Sequence, residues 1–311
     1  MKNSIKKIPT PICGLMLALG SLGNLLSNYS LLIKNICFLL SIIIFIFMAF
    51  KILFFINDIK NEFNNPVIAS VMPTFSMGLM IISTFLKPLN YHIAFLFFIF
   101  GYLIHIGFIL MFSKKYLFNF DINKVFPSYF VVYVGIAVCS LTSKLFNLDE
   151  LGKYSFYFAL FSYILLLPLV IYRVFSVKNI KPPVMPTLTI FAAPASLLLA
   201  GYITAFDSKN TIIINLLAFI SIITFILVIL YIPKMMKAGF FPSFSAFTFP
   251  IVISTIASKK LNFYLNTKDV NIEGLKYLIS FQEILSTFFV FYVLYLYIKN
   301  ISKTIKESSI A

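Results

Sequence analysis

The polar side chains inside the apolar stretches of this sequence are mostly hydroxyls. They belong to Thr10, Thr74, Ser76, Ser128, Ser196 and Thr248, and almost no charges accompany them. Hydroxyl and backbone N–H groups replace part of the water that an anion loses in a narrow path, without holding it as tightly as a fixed lysine. If the apolar segments enclose an anion path, these residues would favour weakly hydrated monovalent anions, although each hydroxyl can instead bond a carbonyl of its own helix.

Residues suited to catalysis are sparse. Intramembrane enzymes need Ser/His pairs, paired aspartates or Glu/His metal clusters within the membrane. The chain has two histidines, His92 and His105, and its adjacent carboxylates Asp149 and Glu150 lie in a loop. We therefore expect no enzyme, no cofactor and no metal site.

Two ionisable residues inside apolar stretches are interpreted as structural. A lone histidine between helices is more often hydrogen-bonded than a proton relay, which applies to His105. Glu283 is expected to hold a structural or subunit contact, since a carboxylate inside a span is usually paired or protonated. The three cysteines, Cys13, Cys37 and Cys139, have no metal-ligand spacing and are expected to pack as small hydrophobic side chains.

The composition places these residues in a membrane. Of 311 residues, 60% are hydrophobic and 11% are charged, and the mean hydropathy is +0.98. Soluble domains are about half apolar and about a quarter charged. A net charge of +15 arises from lysines spread over many loops, so nucleic-acid binding is not expected. We predict an all-α polytopic membrane protein with one domain over residues 1–311.

About 20 apolar residues cross the hydrocarbon core as a helix. That length predicts ten transmembrane helices, at residues 9–27, 35–56, 66–87, 89–112, 125–146, 151–174, 186–206, 211–233, 240–258 and 277–298. The first is interpreted as a retained helix and not as a cleaved signal peptide. Most of the 25 basic residues flank the side that carries both termini. Both termini are therefore predicted to be cytoplasmic, in a multi-pass protein of the cell membrane.

Five prolines recur at roughly one helical hairpin's spacing. All lie in odd-numbered spans, and four of them precede a glycine in the same span: Pro11, Pro73, Pro127, Pro194 and Pro250, with Gly14, Gly78, Gly135 and Gly201. The even spans are bulky and nearly uniform. Small, broken helices suit a crowded interior or a cavity wall, and bulky helices suit contact with lipid or another subunit. The pattern predicts five quasi-repeated hairpins, although prolines and glycines are common in any spanning helix.

The stretch from Phe240 to Ser258 is the best candidate for a wall of the path. Pro250 is expected to bend this helix, and aromatic side chains crowd its first half. An apolar ring can close a pore by sterics and dewetting, without an ion pair. Phe249 is the predicted obstruction, with Phe247 and Phe244 as alternatives; a simple packing role stays open for all three.

Several motifs resemble the tellurite-resistance/dicarboxylate transporter family, whose superfamily includes the slow anion channels of plant guard cells. The resemblance covers essentially the whole chain and rests on residues 9–14 with 22–24, on 65–67 leading to 72–74, and on 241–244 leading to 246–250. It implies five helical hairpins around a central pore lined by the odd helices and surrounded by the even ones. It also implies a phenylalanine of the ninth helix that occludes the pore, assigned here to Phe249, and a homotrimer with one pore per subunit.

Two transport functions remain open. The first is a passive anion channel. The second, also represented in the family, is a proton-linked carrier of C4-dicarboxylates or related small acids. A carrier of dianions is expected to expose cationic groups at mid-membrane, whereas the basic residues here concentrate near the ends of the spans. A membrane scaffold without any pathway is a third interpretation, from a different class.

Overall fold

The computed structural model describes residues 5–237 and 239–310, with side chains up to residue 305. Within these ranges the chain is helical and contains no β-strand. The longer helices are α1 (Ile12–Leu25), α2 (Leu31–Phe54), α3 (Pro66–Leu86), α4 (Tyr91–Leu117), α5 (Gly135–Phe146), α6 (Asp149–Val177), α7 (Pro182–Ala205), α8 (Thr211–Met236), α9 (Phe249–Asn266) and α10 (Glu273–Ile310).

Seven of these helices in the described chain are long and apolar enough to cross a membrane, namely α2, α3, α4, α6, α7, α8 and α10. Helices α1 and α5 are apolar but shorter. Helix α9 is less apolar because its second half carries Lys259, Lys260 and asparagines, and it extends past the predicted boundary at residue 258. The predicted all-helical, multi-pass class is confirmed.

The helices form two layers. In α3 and α7, 78% and 83% of the apolar window is buried inside the protein. In α2, α4, α6, α8 and α10 the buried share is only 28–33%. Bulky aliphatic and aromatic side chains cover the outer surfaces of this second group, as lipid contact requires. The odd-numbered helices are therefore the inner layer and the even-numbered helices the outer layer.

The connections between helices collect at two ends. The first, called the N-terminal end, holds residues 5–11, 55–65, 118–128, 178–181 and 239–241. Hydrogen bonds join residues in or next to these connections across the protein. The Tyr116 hydroxyl donates to the Phe63 carbonyl at 2.7 Å, and the Ser243 hydroxyl donates to the Pro183 carbonyl at 2.6 Å.

The second, called the opposite end, holds the connections at residues 26–30, 87–90, 147–148, 206–210 and 267–272. There the Lys144 ammonium contacts the Asp207 carboxylate at 2.5 Å, and this hydrogen bond lowers the pKa of Asp207. The Asn24 amide donates to the Thr84 hydroxyl at 2.9 Å. Successive helices therefore run in alternate directions between the two ends.

The prolines of the inner layer start helices, and in this respect the structure differs from the expectation for Pro250. Helix α9 begins at Phe249, so Pro250 lies in its first turn, where the missing N–H has no helical partner to lose. The preceding residues, Pro242–Phe247, form a 3₁₀ helix. Pro11 and Pro73 directly precede α-helical segments in the same way. Prolines inside α-helices occur instead in the outer layer, at Pro168 and Pro233.

Candidate functional site: a central cavity

A cavity of about 60 Å³ lies between the inner helices. One water takes about 30 Å³ in the liquid, so the space holds a few waters or one small anion. Its wall is almost wholly apolar and consists of Pro11, Gly14, Val67, Val71, Thr74, Met77, Phe130, Val131, Val134, Gly135, Thr187, Ile190, Ala193, Pro194, Leu197, Ser243, Ser245, Ala246, Phe249 and Pro250. Every one of these residues belongs to an odd-numbered helix or to the short helical stretch that leads into it.

The cavity lies where the inner segments change from irregular to α-helical geometry. Helix α7 is a 3₁₀ helix up to Ala192 and an α-helix from Ala193. Small residues allow the walls to approach each other at this level. A side chain at Gly14 would lie 3.2 Å from Ser245, and one at Gly135 would lie 2.8 Å from the Met77 sulfur. Small residues at this level therefore allow the chain segments to pack closely around one space.

Phe249 is the one phenylalanine among the three candidates that lines the cavity. It is 6% exposed and stands at the first position of α9. Phe244 and Phe247 pack against each other, with ring centroids 4.9 Å apart, and Phe247 lies 6.1 Å from Phe289 of the outer helix α10. The structure thus separates the three rings into one at the cavity and two in the 3₁₀ stretch Pro242–Phe247, which packs toward α10.

A second aromatic residue, Phe130, also lines the cavity. Its ring packs edge-on against Tyr163 at 5.7 Å and against Phe191 at 6.0 Å. Sequence reasoning missed this residue. With 38 phenylalanines in the chain, nothing local distinguishes Phe130 from its neighbours.

The predicted lining residues divide into two groups. Those at the cavity wall are Pro11, Gly14, Thr74, Pro194, Phe249 and Pro250. The structure places the others away from the wall, namely Pro73, Ser76, Pro127, Ser128, Ser196 and Thr248.

The hydroxyls of this second group join helices. Ser196 of α7 lies 2.7 Å from Ser221 of α8 and 3.0 Å from Ser254 of α9, counted between hydroxyl oxygens. Ser128 and Ser70 lie 2.6 Å apart in the same sense. Buried hydroxyls that satisfy one another tie neighbouring helices together without adding charge.

Other hydroxyls bond nearby backbone carbonyls. Thr248 donates to the Ser245 carbonyl at 2.6 Å, and Thr74 donates to the Val71 carbonyl at 2.7 Å. The Thr74 side chain lines the wall, but its hydroxyl proton is already donated to the Val71 carbonyl.

His105 is held between helices, as the sequence suggested. Its Nδ1 lies 2.8 Å from the Ser76 hydroxyl, and its Nε2 lies 3.1 Å from the Val132 carbonyl. The side chain is fully buried, and both ring nitrogens have partners on the inner layer. This arrangement serves packing between α4 and the inner helices.

A buried lysine anchors the N-terminal end beside the cavity. Lys51 of α2 is 1% exposed and donates to the Ile8 carbonyl at 2.7 Å and to the Glu62 carboxylate at 2.7 Å. Glu62 also accepts a hydrogen bond from Thr10, the residue before Pro11 at the cavity wall. The sequence analysis did not single out Lys51, whose one local signal is a lysine in the last turn of an apolar helix.

Glu283 has partners that the sequence did not reveal. Its carboxylate accepts from Lys259 of α9 at 2.6 Å and from the Tyr29 hydroxyl at 3.0 Å. The hydrogen bond to Glu283 raises the pKa of the Tyr29 phenol. The Lys259 ammonium also lies 4.9 Å from the Tyr29 ring centroid. This cluster fastens α9 and α10 to the end of α1.

The wall contains no group suited to proton or metal chemistry. None of the residues that line the cavity carries an ionisable side chain. Within residues 5–237 and 239–305, no three histidine, cysteine, aspartate or glutamate side chains converge to hold a metal ion. The wall therefore offers shape, weak dipoles and exclusion of water, and no charged group.

Comparison with known proteins points in one direction. Residues 8–298 match the family model described as the voltage-dependent anion channel, SLAC1. The match reaches from the residues before α1 into the second half of α10 and confirms the resemblance carried by the sequence motifs. No curated protein matches the chain significantly.

Proposed function

Because the chain belongs to the SLAC1 family of voltage-dependent anion channels, a family of transport proteins and not of enzymes, we propose that it is a passive channel for small, weakly hydrated monovalent anions. The observation that carries this proposal is the cavity, whose wall draws residues from all five odd-numbered segments and from none of the even-numbered helices. An enclosure of this kind is what a pore between broken helices requires.

The proposed conduction uses weak interactions. The wall has no lysine or arginine to trap an anion, and its hydroxyls are few. The α-helical part of α1 begins at the cavity, and so does α9, so the positive ends of two helix dipoles lie there. Their first N–H groups already bond nearby carbonyls, for example Gly14 to Pro11 at 3.0 Å. Attraction by dipoles, with incomplete replacement of water, favours anions that lose water easily.

Phe249 is the proposed gate. Its ring stands at the wall of a space only large enough for a few waters, and no polar group is needed for an apolar ring to close such a space. Rotation of the ring, or movement of the start of α9, would widen the path. Phe244 and Phe247 are held in an aromatic cluster and contribute to packing in this proposal.

The remaining architecture is proposed from the same family membership. One domain of ten spans, formed by α1 to α10 as five hairpins, would surround the pore. The exposed apolar faces of the even helices would contact lipid and the other subunits of a homotrimer. Both termini would lie in the cytoplasm, on the side with the greater number of basic residues.

The test is anion flux through the purified protein in liposomes. Chloride, nitrate and succinate are compared under an imposed voltage without a proton gradient, for the native chain and for Phe249→Ala. We expect nitrate and chloride to pass and Phe249→Ala to raise their flux by about tenfold or more, since the variant removes an apolar constriction. Phe247→Ala is the matched control and should leave the flux unchanged.

Two outcomes would contradict the proposal. No flux from either protein would favour a scaffold without a pathway. Flux of succinate that requires a proton gradient would favour the dicarboxylate carrier. An unchanged flux in Phe249→Ala would remove this residue from the gate but leave the channel itself in place.

A further inference from the structure

Helix α9 carries a lysine on the same face as Phe249. Lys260 follows Phe249 by 11 residues, and at about 100° per residue the two side chains differ by only about 20° in direction. At about 1.5 Å per residue, Lys260 lies about 16 Å farther toward the opposite end. Helical register therefore places it above the gate, on the side of the protein away from the 3₁₀ stretch Pro242–Phe247.

Contacts of α9 identify the face that packs on neighbouring helices and the face that carries Phe249 and Lys260. Thr255 meets Ser286 of α10 at 2.8 Å, and Ser254 meets Ser196 of α7 at 3.0 Å. By register Thr255 and Ser254 point about 120° and about 140° away from Phe249, toward the neighbouring helices. The stripe that contains Phe249 and Lys260 is therefore the one turned toward the axis of the inner layer.

The two adjacent lysines of α9 have different surroundings. Lys259 is paired with Glu283 at 2.6 Å and donates to the Leu25 carbonyl at 3.3 Å. Lys260 is partly buried and has no hydrogen bond or ion pair with any residue in the described ranges. The charge of Lys259 is thus neutralised at the periphery, whereas that of Lys260 is uncompensated and directed inward.

A buried hydroxyl without a partner lies on α1, at a level along the helix between the cavity residue Gly14 and Lys260. Ser21 of α1 is 1% exposed, and within the described chain its Oγ has no hydrogen-bond partner. It follows the cavity residue Gly14 by two helical turns, on the same face. Its neighbours Gly20 and Asn24 face α3, against Ile81 and Thr84 respectively.

The Ser21 hydroxyl is one of six buried side-chain polar atoms in the described chain that have no partner. A water or a ligand would compensate its desolvation. Ser21 lies about 10 Å beyond Gly14 along α1, one to two turns short of the level of Lys260. Helices α1 and α9 are neighbours, as the bond from Lys259 to Leu25 shows. A hydroxyl donor and an ammonium group on adjacent helices, both turned inward, match the needs of a small anion.

We propose that Ser21 and Lys260 form a second anion-binding site between Phe249 and the opposite end, for small inorganic monovalent anions such as chloride and nitrate. Lys260 raises the local concentration of anions at that mouth, and Ser21 receives the anion as it sheds water before the gate. This inference rests on the proposed anion path and adds a specific site to it.

The charge of Lys260 is tested by ionic strength. In the Phe249→Ala background, Lys260→Gln should lower chloride conductance about threefold or more in about 0.02 M salt, because an unscreened charge at a mouth concentrates ions. In about 1 M salt, where charges are screened within about 3 Å, the difference should vanish. Lys268→Gln, which removes the same charge from the exposed loop of the same end, is the control and should have little effect.

Chemical rescue separates charge from structure. Lys260→Cys should regain the low-salt conductance after reaction with a cationic methanethiosulfonate reagent. Reaction with an anionic reagent should lower the low-salt conductance further. The three native cysteines are buried, so the introduced thiol is the one that reacts. Ser21→Ala should weaken the apparent affinity for nitrate, measured from the rise of conductance with nitrate concentration. Ser83→Ala should not, because the Ser83 hydroxyl already bonds the Met80 carbonyl at 2.6 Å.

Failure of this inference is distinguishable from failure of the channel. If Phe249→Ala conducts but Lys260→Gln matches it at both salt concentrations, the second site is wrong and the channel stands. An equal loss at low and high salt without chemical rescue would show that Lys260 is structural and would also refute the site. If no variant conducts, the channel and the site fail together.

Discussion

The inner and outer helices differ in residue composition and in burial, and the more buried helices are not the more apolar ones. Helices α3 and α7 are mostly buried, yet they are less apolar than four of the five outer helices, which bury only about a third of their windows or less. A soluble protein shows the reverse order, with its most apolar surface inside. Here lipid is the outer solvent, so Leu, Ile and Phe serve the exterior and Gly, Ala, Ser and Pro serve the interior.

The difference shows how a cavity is kept open inside a membrane. The inner segments meet through small residues and through hydroxyls that bond each other, such as Ser196 with Ser221 and Ser254. The outer helices are long, continuous and fixed by side-chain packing against this inner layer. A rigid outer layer allows the inner layer to consist of short pieces whose ends surround a space.

The largest expected effect tests a lysine buried at the N-terminal end, where α2 contacts the residues that precede α1. Glu62→Gln leaves the ammonium of Lys51 buried without its counter-charge, and we expect the unfolding free energy to fall by about 3 kcal/mol. The measurement is thermal unfolding in detergent. The double variant Lys51→Met/Glu62→Gln should recover part of the loss, because no buried charge remains.

Asp207→Asn is the control for that comparison. It breaks the pair with Lys144 at the opposite end, where the Asp207 side chain is 85% exposed, and no measurable change is expected. Equal losses from Glu62→Gln and Asp207→Asn would contradict the view that burial of the Lys51 ammonium gives the first pair its importance.

A smaller effect compares two faces of one outer helix. A side chain at Gly101 of α4 would lie 2.8 Å from the Ser76 carbonyl oxygen and 2.9 Å from the Leu79 Cβ, so Gly101→Ala should cost about 2 kcal/mol through overpacking. Nothing lies within 4 Å of such a side chain at Gly107, on the same helix. Melting temperatures of the two variants should therefore differ, with Gly107→Ala equal to the native protein or above it. A lowered value for Gly107→Ala would show that its face is not directed to lipid.

The smallest effect concerns the inner hydroxyls. Ser196→Ala removes a hydroxyl shared by α7, α8 and α9, and hydrogen bonds between membrane helices contribute about 0.6 kcal/mol on average. Ser280→Ala on the exposed face of α10 removes only a bond to the Lys276 carbonyl of its own helix. We expect a slightly lower melting temperature for Ser196→Ala and an unchanged one for Ser280→Ala. Anion flux should be unchanged in Ser196→Ala, since this side chain lies away from the cavity wall.

Prediction from sequence succeeded where composition and repetition carry the information. The apolar content predicts a multi-pass membrane protein, and the contrast between broken and bulky segments separates the inner from the outer layer. Prediction from sequence was less accurate for the local geometry within a segment. Pro250 suggested a bend inside a helix, whereas the structure starts a helix one residue earlier, because a proline suits a first turn as well as a kink.

The sequence alone therefore determined the class of protein and the segments that face inward, because lipid and close packing each select residue types along the whole segment. Only the tertiary structure decided which side chains reach the cavity. Phe249 and Phe130 line it while Phe247 does not, Ser196 bonds Ser221, and Lys259 meets Glu283. These pairings depend on the rotation of each helix about its axis, which is fixed by contacts between residues far apart in the chain.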